Sequence, residues 1–103
     1  MQAVQIFKAL GDPVRLEIVK RLSNGSSYTM NNLSKDLGVS RQGARKQIQV
    51  LLSAKVVNLE PVGRETLVSL DLSSLELART FISNIEEQWD QRLMALKNFV
   101  ENQ

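Results

Sequence analysis

Residues 39–52, VSRQGARKQIQVLL, are the stretch that decides the fold. Ser40 belongs to a residue type that caps helix N-termini, and the apolar residues after it recur at helical spacing. The opposite side carries two arginines, a lysine and three glutamines. The pattern therefore predicts an amphipathic helix with a cationic, amide-rich polar side. Its apolar face, which should pack on the body, consists of Ala44, Ile48, Leu51 and Leu52.

The residues before this helix predict the first half of a helix-turn-helix. Thr29 can cap a short helix with apolar residues at spacings of three and four, and Gly38 can end it. Only the tripeptide GVS then separates the two helices, and we expect its Val39 to pack inside the bend. A short helix, a tight turn containing glycine and a second helix make up the helix-turn-helix pattern.

Two further helices are predicted upstream. The first has an apolar face that includes Val4 and Phe7. The second begins after Asp12, a good capping residue. Pro13 suits the first helical position, because the N–H group that proline lacks would have no helical partner there. The dipeptide NG at residues 24–25 is typical of a helix end.

After Ala54 the apolar period changes from that of a helix to that of strands. VVNLEP and ETLVSL are short β-prone runs, separated by VGR. They predict a hairpin, or wing, with its tip at Gly63-Arg64. The expected cross-strand partners are Val57 and Leu59 on one strand and Val68 and Leu70 on the other.

The tail predicts one long helix over residues 73–102, capped by Ser73 or Ser74. Counted from the residue after a cap at Ser74, about 28 residues at 1.5 Å each would span about 42 Å. A compact 100-residue body has a radius of gyration of only about 13 Å, so the helix should outrun its own domain. We expect a second copy of the chain to cover its apolar stripe. The predicted dimer interface comprises Val4, Phe7, Ile82, Ile85, Trp89, Leu93, Leu96 and Val100.

Charge is distributed unevenly along the chain. Residues 41–64 carry five basic side chains against one acidic side chain, a net charge of +4. Residues 65–103 carry three basic side chains against seven acidic ones, a net charge of −4. A positive middle and a negative tail suggest that one face meets a polyanion while another face does something else.

The absence of cysteine and histidine excludes several classes of function. Disulfides, soft metal sites and thiol or imidazole catalysis are impossible. We therefore expect no cofactor, no metal site and no enzymatic activity. No apolar run approaches the length of about 18 residues that a membrane span needs, and the N-terminus does not have the pattern of a signal peptide. The sequence predicts a cytoplasmic protein without membrane contact.

The polar side of the quoted helix has the chemistry of double-stranded DNA recognition. Arginine pairs with the major-groove edge of guanine and glutamine with that of adenine, and the first residues of the second helix reach the bases. Gln42 and Arg45 are predicted to read bases, whereas Arg41, Lys46 and Lys55 suit phosphates. The full set of candidate DNA-binding residues is Ser40, Arg41, Gln42, Arg45, Lys46, Gln49, Lys55 and Arg64.

Several alternatives stay open at this point. A winged helix can serve protein binding instead of DNA binding, since a fold does not fix its function. Gly43 either permits close approach to DNA or to the preceding helix, or is a tolerated variation. Trp89 belongs to the core or dimer interface, or lines a small-molecule pocket whose inducer the sequence does not identify. The carboxylates Asp71, Glu76, Glu86, Glu87 and Asp90 form a solvated face or, as the lesser alternative, an oxygen-ligand metal site.

Four segments together resemble the ArsR-type winged helix-turn-helix repressors: FKALGDPVRLEIVKRL, NNLSKDLGVSRQGARKQIQVLLSAKVV, GRETLVSLD and WDQRLMALKNFVE. The resemblance covers nearly the whole chain and is strongest to the branch with a late tryptophan helix. It implies a homodimeric repressor that binds a near-palindromic operator and occludes a promoter, with terminal helices at the dimer interface. The expected architecture is a single domain over residues 1–103, mainly α with a small β-hairpin wing (α+β), in which residues 73–102 form the C-terminal dimerisation helix.

Three departures from the family pattern qualify what the resemblance implies. Metal-sensing members carry cysteine or histidine ligands, which this chain lacks, so metal sensing is not carried over. Arg45 and Gln47 stand where the family often has a small residue and a histidine, so the resemblance does not imply an operator sequence for this chain. Lys55 replaces the glycine that usually follows the recognition helix, and a left-handed backbone there would cost lysine roughly 1–2 kcal/mol.

Overall fold

The computed structural model describes residues 2–102, so both ends of the predicted domain 1–103 lie outside the described residues. Five helices and three short strands follow one another, and the predicted mainly α class with a small wing is confirmed. In chain order the elements are α1 (Gln2–Leu10), α2 (Pro13–Leu22), β1 (Tyr28–Thr29), α3 (Met30–Leu33), α4 (Arg41–Ser53), β2 (Val57–Val62), β3 (Glu65–Leu70) and α5 (Leu72–Glu101).

Helix α2 begins as its sequence predicts. The Asp12 carboxylate accepts hydrogen bonds from the backbone N–H groups of Val14, at 2.9 Å, and Arg15, at 3.1 Å. Pro13 occupies the first helical position. Gly25 follows the helix with a φ of +83°, a left-handed conformation that glycine adopts without strain.

The wing has the predicted register and one additional strand. Val57 pairs with Leu70, and Leu59 pairs with Val68, so the expected partners are confirmed. Strand β1 pairs with the other edge of β3, which gives a three-stranded antiparallel sheet in the order β1-β3-β2. A two-residue strand is too short to show an alternating pattern, so β1 could not be predicted from apolar periodicity.

The hydrophobic core lies between the helix-turn-helix, the base of the wing and α1. The side chains of Ile18, Leu33, Ile48, Leu51 and Val68 are all completely buried. They come from α2, α3, α4 and β3, so the core joins both helices of the helix-turn-helix to the sheet. This joint burial fixes the orientation of α4 relative to the wing.

The turn between α3 and α4 differs from the sequence-based expectation in two ways. Helix α3 ends at Leu33, and Leu37 lies in the turn region instead of in the helix. Val39, expected to pack inside the bend, is 41% exposed. Leu37 packs on the core from the turn, so the apolar spacing that suggested a longer helix reflects burial and not helical structure.

A single arginine from α2 holds this turn in place. The guanidinium of Arg21 donates to the carbonyl oxygen of Leu33 at 3.2 Å and to that of Lys35. It also donates to the carbonyl oxygen of Asp36 at 2.9 Å. Asp36 has a φ of +57°, so the chain reverses there through a left-handed residue that is not glycine. Arg21 thus satisfies the carbonyl groups that the short helix and its turn leave without helical partners.

Helix α5 begins at Leu72, one residue earlier than predicted, because Asp71 caps it instead of Ser73 or Ser74. The Asp71 carboxylate accepts from the Ser73 backbone N–H at 3.0 Å and from the Ser73 hydroxyl. A carboxylate accepts both donors at once, and its negative charge suits the positive end of the helix dipole. Ser74 is instead buried in the first turn.

The length of α5 gives the molecule its shape. Its 30 residues correspond to about 45 Å at 1.5 Å per residue. The overall extents are 70 × 25 × 25 Å, and the radius of gyration is 18.7 Å, well above the value of about 13 Å for a compact chain of this size. Every residue from 79 to 102 is exposed, so the helix does outrun its body. Across residues 2–102, no helix combines the length and the apolar character that crossing a membrane requires.

Replacing Arg21 by alanine should destabilise the fold, because three backbone carbonyl groups lose a charged donor. We expect the free energy of unfolding to fall by about 2 kcal/mol, a value moderated by the partial exposure of the site. Urea denaturation at fixed protein concentration measures it. Arg79→Ala is the matched control: its 3.8 Å pair with Glu76 is largely exposed and should contribute less than about 0.5 kcal/mol. Equal losses in the two variants would contradict the role given to Arg21.

The cap of α5 should make stability depend on pH. The Ser73 hydroxyl, and then the backbone N–H groups of Ser73 and Ser74, lower the pKa of Asp71 below its ordinary value of 3.8. The stabilisation is therefore complete above that value and is lost as the pH falls through the lower pKa of the folded state. Asp71→Asn keeps an acceptor but cannot titrate. Denaturation at pH values from about 5 to about 2 should show a steeper loss for the native chain than for Asp71→Asn; parallel curves would refute this.

Candidate nucleic-acid interface

The start of α4 is fixed by its cap and its buried face. The Ser40 hydroxyl accepts from the Gly43 N–H at 3.0 Å, and the Ser40 carbonyl accepts from the Ala44 N–H at 2.8 Å. Ala44 and Ile48 have no exposed surface. Because one side of the helix is anchored in this way, its polar side is turned outward.

The outward side of α4 carries the predicted DNA-binding side chains. All of its candidate residues are exposed: Ser40, Arg41, Gln42, Arg45, Lys46 and Gln49. The ion pairs found within residues 2–102 involve Arg21, Arg79 and Lys97, and none involves a cation of this face. The positive charge of α4 is therefore not neutralised by carboxylates of the described chain.

A concave region of about 180 Å³ lies between α4 and the wing. Arg45 and Gln49 line it from the helix, and Arg64 lines it from the tip of the wing. The structure thus brings together three candidates that are up to 19 positions apart in the sequence. The acidic side chain of Glu65 lies beside Arg64 in the same lining.

Three uncharged polar residues of this region, Thr29, Asn31 and Thr66, were not among the predicted candidates. Thr29 and Asn31, at the start of α3, also line the concave region. Thr29 was recognised only as a cap, a role it fills by accepting from the Asn32 N–H at 3.1 Å. The exposed polar residues in YTMNN were the available signal, because the first turn of α3 faces the same side as α4.

Lys55 lies apart from the other candidates. It follows the C-terminal end of α4, 14 residues after Arg41, or about 21 Å along a helix axis. It lines a different cleft, together with residues of α1 and α5. The structure thus does not bring Lys55 together with the other candidates, and its phosphate contact stays a prediction. Its φ of +63° shows that it does adopt the left-handed conformation in which the family usually has glycine.

The surroundings of Gly43 favour a local packing reason for the missing side chain. A Cβ atom at this position would lie 3.2 Å from the Ser40 hydroxyl and 3.5 Å from the Val39 Cβ. The first of these contacts is tighter than most, and it would press on the oxygen that caps the helix. The residues that approach Gly43 most closely are thus Val39 and Ser40, just before α4.

Gln47 is engaged inside the protein instead of lying on the DNA face. Its side-chain oxygen accepts from the Arg15 Nη1 at 2.7 Å. The same guanidinium donates from Nε to the Ala9 carbonyl at 2.6 Å and from Nη2 to the Lys8 carbonyl at 3.3 Å. Arg15 therefore connects the C-terminal end of α1 to the middle of α4.

The predicted dimer-interface residues form an uncovered apolar stripe. On α1, Val4 is half exposed, and Phe7 packs edge-on against Phe81 with ring centroids 5.6 Å apart. On α5 the exposed fractions run from 44% to 65% for Ile82, Ile85, Trp89, Leu93, Leu96 and Val100. Among residues 2–102, the carboxylates of α5 do not assemble into a group of three or more that could hold a metal ion.

Comparisons with known proteins agree with this geometry. A family model described as a helix-turn-helix domain matches residues 10–60. An ArsR-like transcriptional regulator from Rhodococcus sp. RHA1 is 30% identical in sequence, with 95% of this chain and 92% of that chain covered and a TM-score of 0.79. The chain belongs to the ArsR family of transcriptional regulators. It is thus a DNA-binding regulator with a winged helix-turn-helix, and its family is not one of enzymes.

Two further relatives show how far the likeness extends. The HTH-type transcriptional regulator Rv2034 of Mycobacterium tuberculosis is 29% identical over 97 residues, which cover 94% of this chain and 87% of that protein. The homodimeric winged helix-turn-helix domain Mb0332 of Mycobacterium bovis has a TM-score of 0.66 at 20% identity, with 84% of this chain and 80% of that chain covered. The second likeness concerns the fold alone.

Proposed function

We propose that this ArsR-family regulator is a homodimeric repressor that binds a near-palindromic operator and occludes a promoter. The observation that carries the proposal is the exposed cationic and amide-bearing side of α4, whose basic groups have no carboxylate partner within residues 2–102. A protein-binding helix would instead expose apolar groups there. Because the relatives come from bacteria and regulate transcription, we propose that the protein acts in the cytoplasm.

Each side chain of the interface has a proposed role. Gln42 and Arg45 read base edges in the major groove, since both lie in the first turns of α4. Arg41 and Lys46 contact phosphates and supply affinity that depends on salt. Ser40 and Gln49 border this contact, and Arg64 reaches phosphate or the minor groove from the wing. The shared lining of Arg45, Gln49 and Arg64 supports a single footprint for helix and wing.

Dimerisation is supported by the apolar stripe of α5. An exposed run of large apolar residues on a helix that extends beyond its own body marks an interaction surface. A second α5 offers the same stripe, so a two-fold interface is self-complementary. The dimer would present two α4 helices to successive major grooves about 34 Å apart. The M. bovis neighbour is described as homodimeric, which agrees with this arrangement.

Selection of bound DNA from a random pool, at a stated salt concentration, tests the function. We expect enrichment of a motif with two-fold symmetry whose half-sites are centred about 10 base pairs apart. An enriched motif without symmetry would contradict the dimeric mode of binding. A pool that shows no enrichment would favour a module that binds protein only.

Arg45→Ala and Lys46→Ala should affect DNA binding in different ways. Arg45→Ala should relax the preference at one base position in each half-site and cost about 1–3 kcal/mol on the operator. Lys46→Ala should weaken all sequences alike and reduce the salt slope by about one for each lysine removed. Affinities for the selected operator and a scrambled duplex, measured over a salt series, separate the two effects. If both variants lost the same affinity for both duplexes at every salt concentration, the separate base and phosphate roles of Arg45 and Lys46 would be contradicted.

Leu93→Glu should disrupt the proposed dimer, because it buries a carboxylate at the centre of the stripe. Gln91→Glu is the matched control, since it adds the same charge on the opposite side of α5. Sedimentation should show a monomer for Leu93→Glu and a dimer for Gln91→Glu, and the monomer should bind a full operator at least about tenfold more weakly. A dimeric Leu93→Glu variant would place the interface elsewhere.

A further inference from the structure

The concave region between α4 and the wing has a third wall, which is formed by the start of α3. Arg45 and Gln49 lie on the wall formed by α4. Asn31 lies on the wall formed by α3, and Arg64 and Thr66 lie on the wall formed by the wing. Three elements that are separate in the sequence thus meet around one opening of about 180 Å³. The roles proposed for α4 and for the tip of the wing leave the wall formed by α3 without a function.

The wall formed by α3 offers hydrogen-bond donors to the solvent. Asn31 is exposed, and the side-chain hydrogen bonds formed around α3 within residues 2–102 use Arg21, Thr29 and Ser34 instead of its amide. The Thr29 hydroxyl accepts from the Asn32 N–H, which occupies a lone pair of the oxygen atom and leaves its proton available. This wall therefore presents uncharged donors that suit the oxygen atoms of a ligand.

The charge of the concave region favours an anion. Two arginines, Arg45 and Arg64, stand against one carboxylate, Glu65, which leaves a net charge of +1. The ion pairs found within residues 2–102 involve none of these three side chains. Guanidinium groups bind carboxylate and phosphate oxygens through several parallel donors. The Glu65 carboxylate opposes such an anion, so uncharged donors add attraction that the small net charge does not supply.

The geometry of double-stranded DNA determines which anion reaches this region. The major and minor grooves of a duplex are separated by the sugar–phosphate backbone of one strand. A protein that places one element in the major groove and another beside it must therefore accommodate that strand between the two elements. In the proposed mode of binding α4 occupies the major groove and the wing lies beside it, so the strand crosses the concave region. The first helix of a helix-turn-helix, here α3, crosses the backbone in the same way.

We propose that the concave region holds one phosphate group of the strand between the two grooves, and that Asn31 and Thr66 are DNA contacts. The phosphate oxygens accept from the Asn31 amide on one side and from the Thr66 hydroxyl and the Arg64 guanidinium on the other. Arg64 thus binds the backbone and does not enter the minor groove. Because neither neutral contact reads a base, both fix the position of α4 along the duplex. This inference rests on the proposed function, since it takes α4 to lie in the major groove.

Two neighbouring asparagines provide a matched test. Asn31→Ala should weaken binding of the selected operator and of a scrambled duplex by the same factor, about tenfold, because a hydrogen bond to a charged group is lost. Its base preference and salt slope should not change, since a neutral amide releases no counterion. Asn32 is also exposed but does not line the concave region, so Asn32→Ala should bind as the native chain does. Equal affinities of the two variants, or an altered base preference in Asn31→Ala, would overturn the proposal.

Neutral methylphosphonate groups, placed at one phosphate of the operator at a time, locate the contact. For the native chain, one such substitution in each half-site should weaken binding severalfold. For Asn31→Ala the same substitution should cost much less, because the partner of that phosphate has already been removed. If the losses from the Asn31 change and from every methylphosphonate simply multiply, Asn31 does not contact the backbone and the inference is wrong.

Glu65→Gln should have an effect of the opposite sign, which a variant that fails to fold cannot imitate. It should strengthen binding of both duplexes about threefold, because a carboxylate beside the phosphate is removed. Glu60, the other carboxylate of the wing, does not line the concave region, so Glu60→Gln should give a smaller gain. Equal gains would refute a phosphate in this region. A native chain that binds neither duplex would contradict the proposed function itself, whereas a native chain that binds while Asn31→Ala matches Asn32→Ala would contradict only this inference.

Discussion

The burial of one side of α4 in the core is the constraint on which the rest of the structure depends. Ala44, Ile48 and Leu51 have no exposed surface, and each large apolar side chain buried in this way contributes about 1.5–3 kcal/mol. Rotating α4 about its axis would expose these groups and bury arginine and lysine, which is far more costly. The direction of the cationic face is therefore set by the energetics of the core.

Helix α5 is subject to the opposite constraint, because most of it has nothing to pack against among residues 2–102. Only Ser74 and Ala78 are buried, both near its start. In water an isolated helix gains little stability from propensity alone, and most helical stability comes from packing an apolar face. A stripe that continues to Val100 is thus a free-energy cost in a lone protomer and a gain in an assembly. The exposed apolar stripe on the extended part of α5 is therefore the reason that the proposed function includes a partner chain.

Much of the fold could be predicted from the sequence because the relevant signals are local. The Asp12-Pro13 helix start and the Ser40 cap depend on residues within a few positions of one another, and the hairpin register depends on two strands joined by the short turn at Gly63-Arg64. The Arg21 contacts, the Arg15–Gln47 pair and strand β1 were missed, because their partners are set by tertiary packing. Lys55 was grouped with the DNA-binding residues on charge alone, and the long axis of α4 places it elsewhere. The exposed side of α4 was predictable, whereas its combination with Thr29 and Asn31 was not.

The contacts of α1 show why the two proposed interfaces are not structurally independent. Phe7 packs against Phe81 of α5, while the carbonyl groups at the end of α1 accept from Arg15, which also holds Gln47 of α4. Arg15 satisfies carbonyl groups that the end of α1 leaves without partners. A displacement of α1 must therefore either break these hydrogen bonds or move Arg15, which is bonded to Gln47 of α4. Ile6 and Ala9 of α1 also belong to the core, so a change in how two α5 helices pack would reach α4 through the buried face of α1 as well as through the Arg15 guanidinium.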